Sequence, residues 1–310
     1  MKVVVAGSSG LVGTAVCNSF RKNGYEVIGL NRSVINLLNE KDTIDYFSDI
    51  NPEIVIDAAA KVGGINANSL SPVEFLVDNI QIQQNLMRAS YLAKVKRFVF
   101  LGSSCIYPRD CQQPIIEEYL MTGPLEATNS AYAIAKISGI ELVNAYRRQY
   151  GSSWISLMPT NLYGPGDNFE LGKSHVLPAL IRRFTEAVNS GTKSITLWGD
   201  GSPLREFLHV EDLAAAIVVA TEKYDKEMHL NIGSGDEISI KHLALKIAAM
   251  TGYLGDIMWD SGMPNGTPRK LLNSDRMKSL GWKPQISLEV GLSSTIKWYQ
   301  EASTKGRVRI

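Results

Sequence analysis

Gly7-Ser8-Ser9-Gly10-Leu11-Val12-Gly13 follows directly on the apolar run Val3-Val4-Val5-Ala6 and opens the helical spacing of Val12, Val16 and Phe20. A strand that passes into a helix through a glycine-rich loop leaves backbone N–H groups and the positive end of the helix dipole free to meet phosphate. In this reading Gly7 makes the tight turn, Gly10 lets the backbone approach a pyrophosphate, and Gly13 lets the helix pack close. A glycine triplet alone also fits a plain strand-to-helix turn, so the surrounding pattern has to decide.

That pattern alternates. Residues 25–30, 53–60, 97–101 and 154–157 read as strands, and residues 40–47, 75–93 and 131–150 as helices, with Asn23-Gly24 stopping the first helix. Strands alternating with helices mark βαβ units and a parallel sheet. The expected fold is α/β, a Rossmann-type doubly wound parallel sheet with a smaller C-terminal α/β substrate-binding domain. Residues 1–165 form the dinucleotide-binding domain, joined by a strand and helix from about 205–232, where residues 226–232 read as a strand. Residues 166–310 are mainly the discontinuous substrate domain, with helices at 175–189, 210–221 and 240–251. Residues 159–167 read as a loop, and 303–310 as a fraying tail.

Composition narrows the class further. The 310 residues carry 32 Lys and Arg against 31 Asp and Glu, and without a basic run such a balance argues against nucleic-acid binding by phosphate neutralisation. The longest clean apolar run, 213–220, is far below the roughly 20 residues a membrane span needs. No secretory signal opens the chain, so a cytoplasmic protein is expected. Cys17, Cys105 and Cys111 are too scattered for a disulfide framework and have no metal-ligand spacing, so no metal is expected.

The second strand ends in Leu30-Asn31-Arg32, with no acid to bind an adenosine ribose hydroxyl. Arg32 instead suits a 2′-phosphate, which favours NADPH over NADH. Further on, Ser103 follows a strand, and Tyr132 and Lys136 stand one helical turn apart. A phenol is a poor proton donor at neutral pH, and a neighbouring ammonium brings its pKa nearer the working range. Ser103 would hold a carbonyl oxygen.

With these residues the chain resembles the extended short-chain dehydrogenase/reductases, and within them the branch that turns GDP-4-keto-6-deoxy-D-mannose into GDP-L-fucose. The resemblance runs over nearly the whole chain. It is carried by residues 60–68, 102–108, 132–136, 159–165, 174–176, 205–210 and 266–270. It implies that Ser103, Tyr132 and Lys136 are a reductase triad, with Lys136 also touching the nicotinamide ribose. Leu101, Gly102, Ser104, Pro159, Asn161, Leu162 and His175 would complete the NADPH site begun by residues 7–13 and Arg32. Cys105 and His175 match the pair that moves protons in epimerisation, since a C4 ketone acidifies C3 and C5 through an enolate. The substrate, a GDP-linked 4-keto-6-deoxy sugar, would be met by Ser103, Ser104, Cys105, Arg183, Trp198, Arg205 and Lys270, with Arg183, Arg205 and Lys270 on the diphosphate. A homodimer through helices 75–93 and 131–150 is implied as well.

The chain departs from the family twice. Ser9 stands where a basic residue is common, and the segment after the second strand is one residue shorter, which weakens the expected NADPH preference. The nearest alternative is a C4 reductase, with or without epimerisation, of another GDP-4-keto sugar such as a deoxy-heptose or trideoxy sugar. A dehydratase would carry a Thr and an acid where Cys105 and Ile106 stand. An NADPH-binding protein without turnover is the distant alternative, and the intact triad counts against it.

Overall fold

The computed structural model describes residues 1–263 and 265–308. β1 (Lys2–Ala6) passes through the glycine loop into α1 (Leu11–Lys22), whose last turn carries Arg21 and Lys22 at the negative end of the dipole. β2 (Glu26–Leu30) returns beside β1. α2 (Glu40–Ile50) starts where the Asn39 side chain accepts from the Asp42 N–H, and stops at Asn51 with φ 44°. There follow β3 (Ile54–Asp57), α3 (Ile65–Leu70), α4 (Pro72–Leu92), β4 (Arg97–Leu101), α5 (Ser130–Tyr150) and β5 (Ile155–Pro159). The rest of the chain runs β6 (Asn161–Tyr163), α6 (Val176–Ser190), β7 (Ser194–Trp198), β8 (Leu204–His209), α7 (Val210–Lys223) and β9 (Leu230–Ile232). It closes with β10 (Glu237–Ser239), α8 (Ile240–Thr251), β11 (Asp256–Asp260), β12 (Arg269–Lys270), α9 (Asp275–Ser279) and α10 (Leu288–Thr304).

Six parallel strands form the main sheet in the order β2-β1-β3-β4-β5-β9. Both faces are covered, so its strands are apolar on both sides rather than alternating with polar residues. Val3, Val5, Ile54, Ile56, Val99 and Leu101 pack with α1 and α7. Val4, Ala6, Val55, Phe98 and Phe100 pack on the opposite face with α2, α4 and α5. Strand order reverses at β1, which lies between β2 and β3, and that switch point opens a crevice at the C-terminal strand ends.

A smaller unit sits over that crevice. β10, β8 and β12 form a sheet to which β6 adds by pairing with β8, and β11 pairs with β7. α6, α8 and α10 close a separate core around Phe169, Phe184, Leu243 and Ile296. The strand at Leu204–His209 therefore belongs to the smaller sheet, while α7 and β9, which follow it, return to the main sheet. The chain passes between the two units five times: at β5 to β6, β8 to α7, β9 to β10, β12 to α9, and on to α10.

Several boundaries differ from the sequence expectation for physical reasons. The strand read at 53–60 ends at Asp57, whose Oδ1 accepts from the Ala59 N–H at 3.1 Å and turns the chain. The helix read at 75–93 begins three residues earlier, on Pro72, a residue suited to a first turn. The loop read at 159–167 contains β6, which finds a partner in β8, distant in sequence. The strand read at 226–232 is confined to Leu230–Ile232. Of the expected fraying tail, Ser303 and Thr304 are helical and Val308 is half-buried against the smaller core. Arg309 and Ile310 lie outside the described residues. No described helix is long and apolar enough to cross a membrane.

Candidate active site

One cleft of about 1190 Å³ runs from the glycine loop, across the ends of β3, β4 and β5, to β7 and β12. At its first end Gly7 has φ 76°, and a Cβ there would lie 2.5 Å from the Ala58 oxygen. A Cβ on Gly13 would lie 2.1 Å from the Gly7 oxygen, so α1 approaches the loop as closely as glycine allows. Gly10 caps α1 with no side-chain hydrogen bond, which leaves the first N–H groups of the helix facing the cleft. Gly7, Ser9, Gly10, Leu11 and Val12 line it, whereas Ser8 and Gly13 stand behind it. Ser8 lies against Gly29 of β2 and donates its N–H to the Leu30 oxygen at 2.9 Å. Arg32 is exposed at the rim beside Asn31, Ser33 and Asn36. Open N–H groups, a glycine cradle and a cation beyond β2 are the donor set for a dinucleotide bearing a 2′-phosphate.

The middle of the cleft holds the predicted triad. Ser103 is extended at the end of β4 and caps a single 3₁₀ turn, residues 104–106, its Oγ accepting from the Cys105 N–H at 3.3 Å. α5 places Tyr132 and Lys136 on the same side, with the Tyr132 phenol near the Ser103 hydroxyl. Burial, then the nearby Cys105, pushes the phenol well above its ordinary pKa, and the Ser103 hydroxyl opposes that shift. Lys136 is only 3% exposed. Its Nζ donates to the Leu101 oxygen at 2.8 Å and lies 4.8 Å from the centre of the Phe100 ring and 5.9 Å from that of Tyr132. Burial lowers its pKa, and Asp57 opposes that shift. Leu101, Gly102, Ser104, Pro159, Asn161 and Leu162 line the same stretch, with Asn161 donating from Nδ2 to the Glu206 oxygen at 2.8 Å.

Cys105 faces the other half of the cleft. The Asn129 Nδ2 donates to its Sγ at 3.4 Å, and Lys270 reaches the same sulfur at 3.9 Å, with Arg205 nearby. Arg205 is anchored by donation to the Leu204 oxygen at 2.8 Å, and burial lowers its pKa. The three cations expected on a diphosphate all line this cleft. Lys270 and Arg205 stand at the thiol, while Arg183 lies by β7, donating to the Thr196 oxygen at 3.2 Å. Trp198, at the end of β7, is half-exposed on the same side. His175 caps α6 with its backbone and makes no side-chain capping bond, so its ring is open to the cleft. Desolvation by the protein around it lowers the imidazole pKa.

Two residues that the sequence pattern did not single out stand in this geometry. Asn129 belongs to a run of small polar residues before α5 that reads as ordinary helix-start chemistry. Asp57 ends an apolar strand and is 1% exposed, and burial raises its carboxyl to about 6. Among the described residues no group of three or more His, Cys, Asp or Glu side chains is placed to hold a metal.

The model of the NAD dependent epimerase/dehydratase family matches residues 3–233. GDP-L-fucose synthase 1 of Arabidopsis thaliana is 50% identical over 96% of this chain and 93% of its own length. A GDP-L-fucose synthetase from Naegleria fowleri, solved bound to NADP, superposes with a TM-score of 0.90 at 28% identity, covering 100% of this chain and 96% of that one. A GDP-6-OMe-4-keto-L-xylo-heptose reductase from C. jejuni superposes with a TM-score of 0.91 at 32% identity, over 97% of both chains.

Proposed function

This chain belongs to the NAD dependent epimerase/dehydratase family, and we propose that it is an NADPH-dependent 3,5-epimerase and 4-reductase converting GDP-4-keto-6-deoxy-D-mannose into GDP-L-fucose. One observation carries the reading beyond a generic reductase. The cleft that holds Ser103, Tyr132 and Lys136 also holds a thiol, Cys105, within reach of Asn129 and Lys270. A plain C4 reduction has no use for such a thiol.

Gly7, Ser9, Gly10, Leu11 and Val12 would hold the pyrophosphate of the cofactor, Arg32 its 2′-phosphate, and Lys136 the nicotinamide ribose. Arg183 and Trp198 receive the GDP end of the substrate. In the epimerisation half, the Cys105 sulfur and the His175 imidazole remove and return protons at C3 and C5. Asn129 and Lys270, 3.4 Å and 3.9 Å from the sulfur, hold it in place. Ser103 and Tyr132 donate to the C4 oxygen and stabilise the enolate that forms there. NADPH supplies the hydride that reduces C4. Tyr132 gives its proton to the resulting alkoxide, and the Lys136 ammonium stabilises the phenolate left behind. Residues 1–159 with α7, β9 and α9 are the dinucleotide half, the boundary falling before β6 rather than at residue 165, and the remainder is the sugar half. The protein is a cytoplasmic homodimer in this proposal.

Incubation with GDP-4-keto-6-deoxy-D-mannose and NADPH in heavy water tests the reading. GDP-L-fucose carrying deuterium at C3 and C5 is the expected product. Cys105→Ser should slow deuterium incorporation by about a hundredfold or more, the usual range for loss of a general base. Hydride transfer to an unepimerised sugar would then remain. If the wild-type protein instead yields an unepimerised 6-deoxy sugar, the assignment to Cys105 and His175 fails. The second reading, a C4 reductase of a GDP-keto-heptose, is then favoured, as the likeness to the C. jejuni enzyme allows.

A further inference from the structure

Asp57 is a buried carboxylate that the reaction above does not use. It is the last residue of β3, and its register partners are Ala6 in β1 and Phe100 in β4. Register partners in parallel strands point to the same face, so Asp57 faces the α4 and α5 side along with Phe100. Lys136 enters that same space, with its Nζ over the Phe100 ring.

The two oxygens of Asp57 differ. Oδ1 accepts the Ala59 N–H, while Oδ2 is buried and has no hydrogen-bond partner among the described residues. An unpartnered buried carboxylate oxygen is costly, and such costs are tolerated mainly where a site needs them. Lys136 is the ionisable group whose charge acts on Asp57, and Asp57 is the one whose charge acts on Lys136. The ammonium has three protons to donate, of which the Leu101 oxygen takes one.

We propose that Asp57 is a positioning residue of the reductase, the buried counter-ion that keeps the Lys136 ammonium charged and seated below the cofactor and Tyr132. The inference rests on the reductase reading of Tyr132 and Lys136. A rival role is purely local. Asp57 would then only form the turn through Ala59, a task that asparagine performs equally well.

Asp57→Asn separates the two roles, because it keeps the Oδ1 acceptor and removes the charge. The full chain labelled with ¹³C at lysine Cε is titrated by NMR, with the Lys136 resonance assigned by its loss in Lys136→Met. The expected result is a Lys136 midpoint lower by about one pH unit in Asp57→Asn, the size of effect a close opposite charge has. Alongside it, kcat for NADPH oxidation should fall about tenfold while KM for the GDP-sugar changes less than about twofold, the split that marks loss of a transition-state interaction. An unchanged midpoint overturns the proposal, as does a lowered midpoint with unchanged kcat. Asp57→Ser, which also retains an acceptor, repeats the measurement should the asparagine variant fail to fold. If the wild-type protein does not oxidise NADPH with any GDP-keto sugar, the reductase reading falls, and the lysine titration still decides whether Asp57 is the counter-ion.

Discussion

His229 is neutral in the fold because it is shut away from water. It is 3% exposed, lies 2.8 Å from the Tyr107 hydroxyl, and its pKa is pushed down to about 4 by burial and by Arg276. The unfolded chain binds a proton near pH 6.5 and the folded chain does not, so this stability is fully present above about 6.5 and is lost as pH falls through about 4. Between pH 7 and pH 5 the wild-type protein should lose about 2 kcal/mol more than His229→Gln, read from urea unfolding at the two pH values. Equal losses would mean that His229 carries no proton linkage. At this scale legibility depended on whether the reason for a residue lies nearby in sequence. Gly13 was readable because its constraint comes from the loop six residues earlier, and Tyr132 and Lys136 because one helical turn joins them. Asp57 was not, since its meaning comes from a lysine on another element.

β8 shows how an element organises the site. Its Glu206 is fully buried, with Oε1 accepting the Gly235 N–H at 2.7 Å and Oε2 the Leu272 N–H at 3.1 Å. Its backbone oxygen accepts from Asn161 at 2.8 Å and Thr160 at 3.3 Å. One residue thus fastens the entries to β6 and β10 and the exit from β12. Next to it, Arg205 reaches toward Cys105, and β12 carries Lys270 to the same sulfur. Glu206→Gln replaces one accepting oxygen with an amide donor that faces an N–H group. It should cost about 3 kcal/mol in urea unfolding, as expected for a broken charge-assisted bond that leaves a buried donor unpaired. A loss below about 0.5 kcal/mol would show that the carboxylate is not what joins these segments. The long elements of the main sheet were legible because each repeats its apolar period several times. β6, β10 and β12 are two or three residues long, too short for a period, and exist because β8 offers them partners.

At the scale of the whole molecule, α3, α4 and α5 leave Leu70, Val73, Val77, Leu92 and Ile134 exposed on the outer side of the main sheet. If this face is the dimer seam, sedimentation should give twice the chain mass, and Val77→Glu should give the single chain with its NADPH binding intact. A wild-type monomer at micromolar concentration would remove the dimer from the proposal. The doubly wound half was legible from alternation, and the smaller unit was legible in its helices, whereas its sheets were not, because their pieces are scattered along the sequence and meet only in space. That scattering has its own effect. With five passages of backbone between the two walls of the cleft, cutting any one of them leaves four uncut, and each unit keeps its own core. Covalent continuity is therefore redundant here. A protease nick in one connection should yield two fragments that stay together and still turn over, and relative movement of the walls is confined to what five strands of chain can bend through at once.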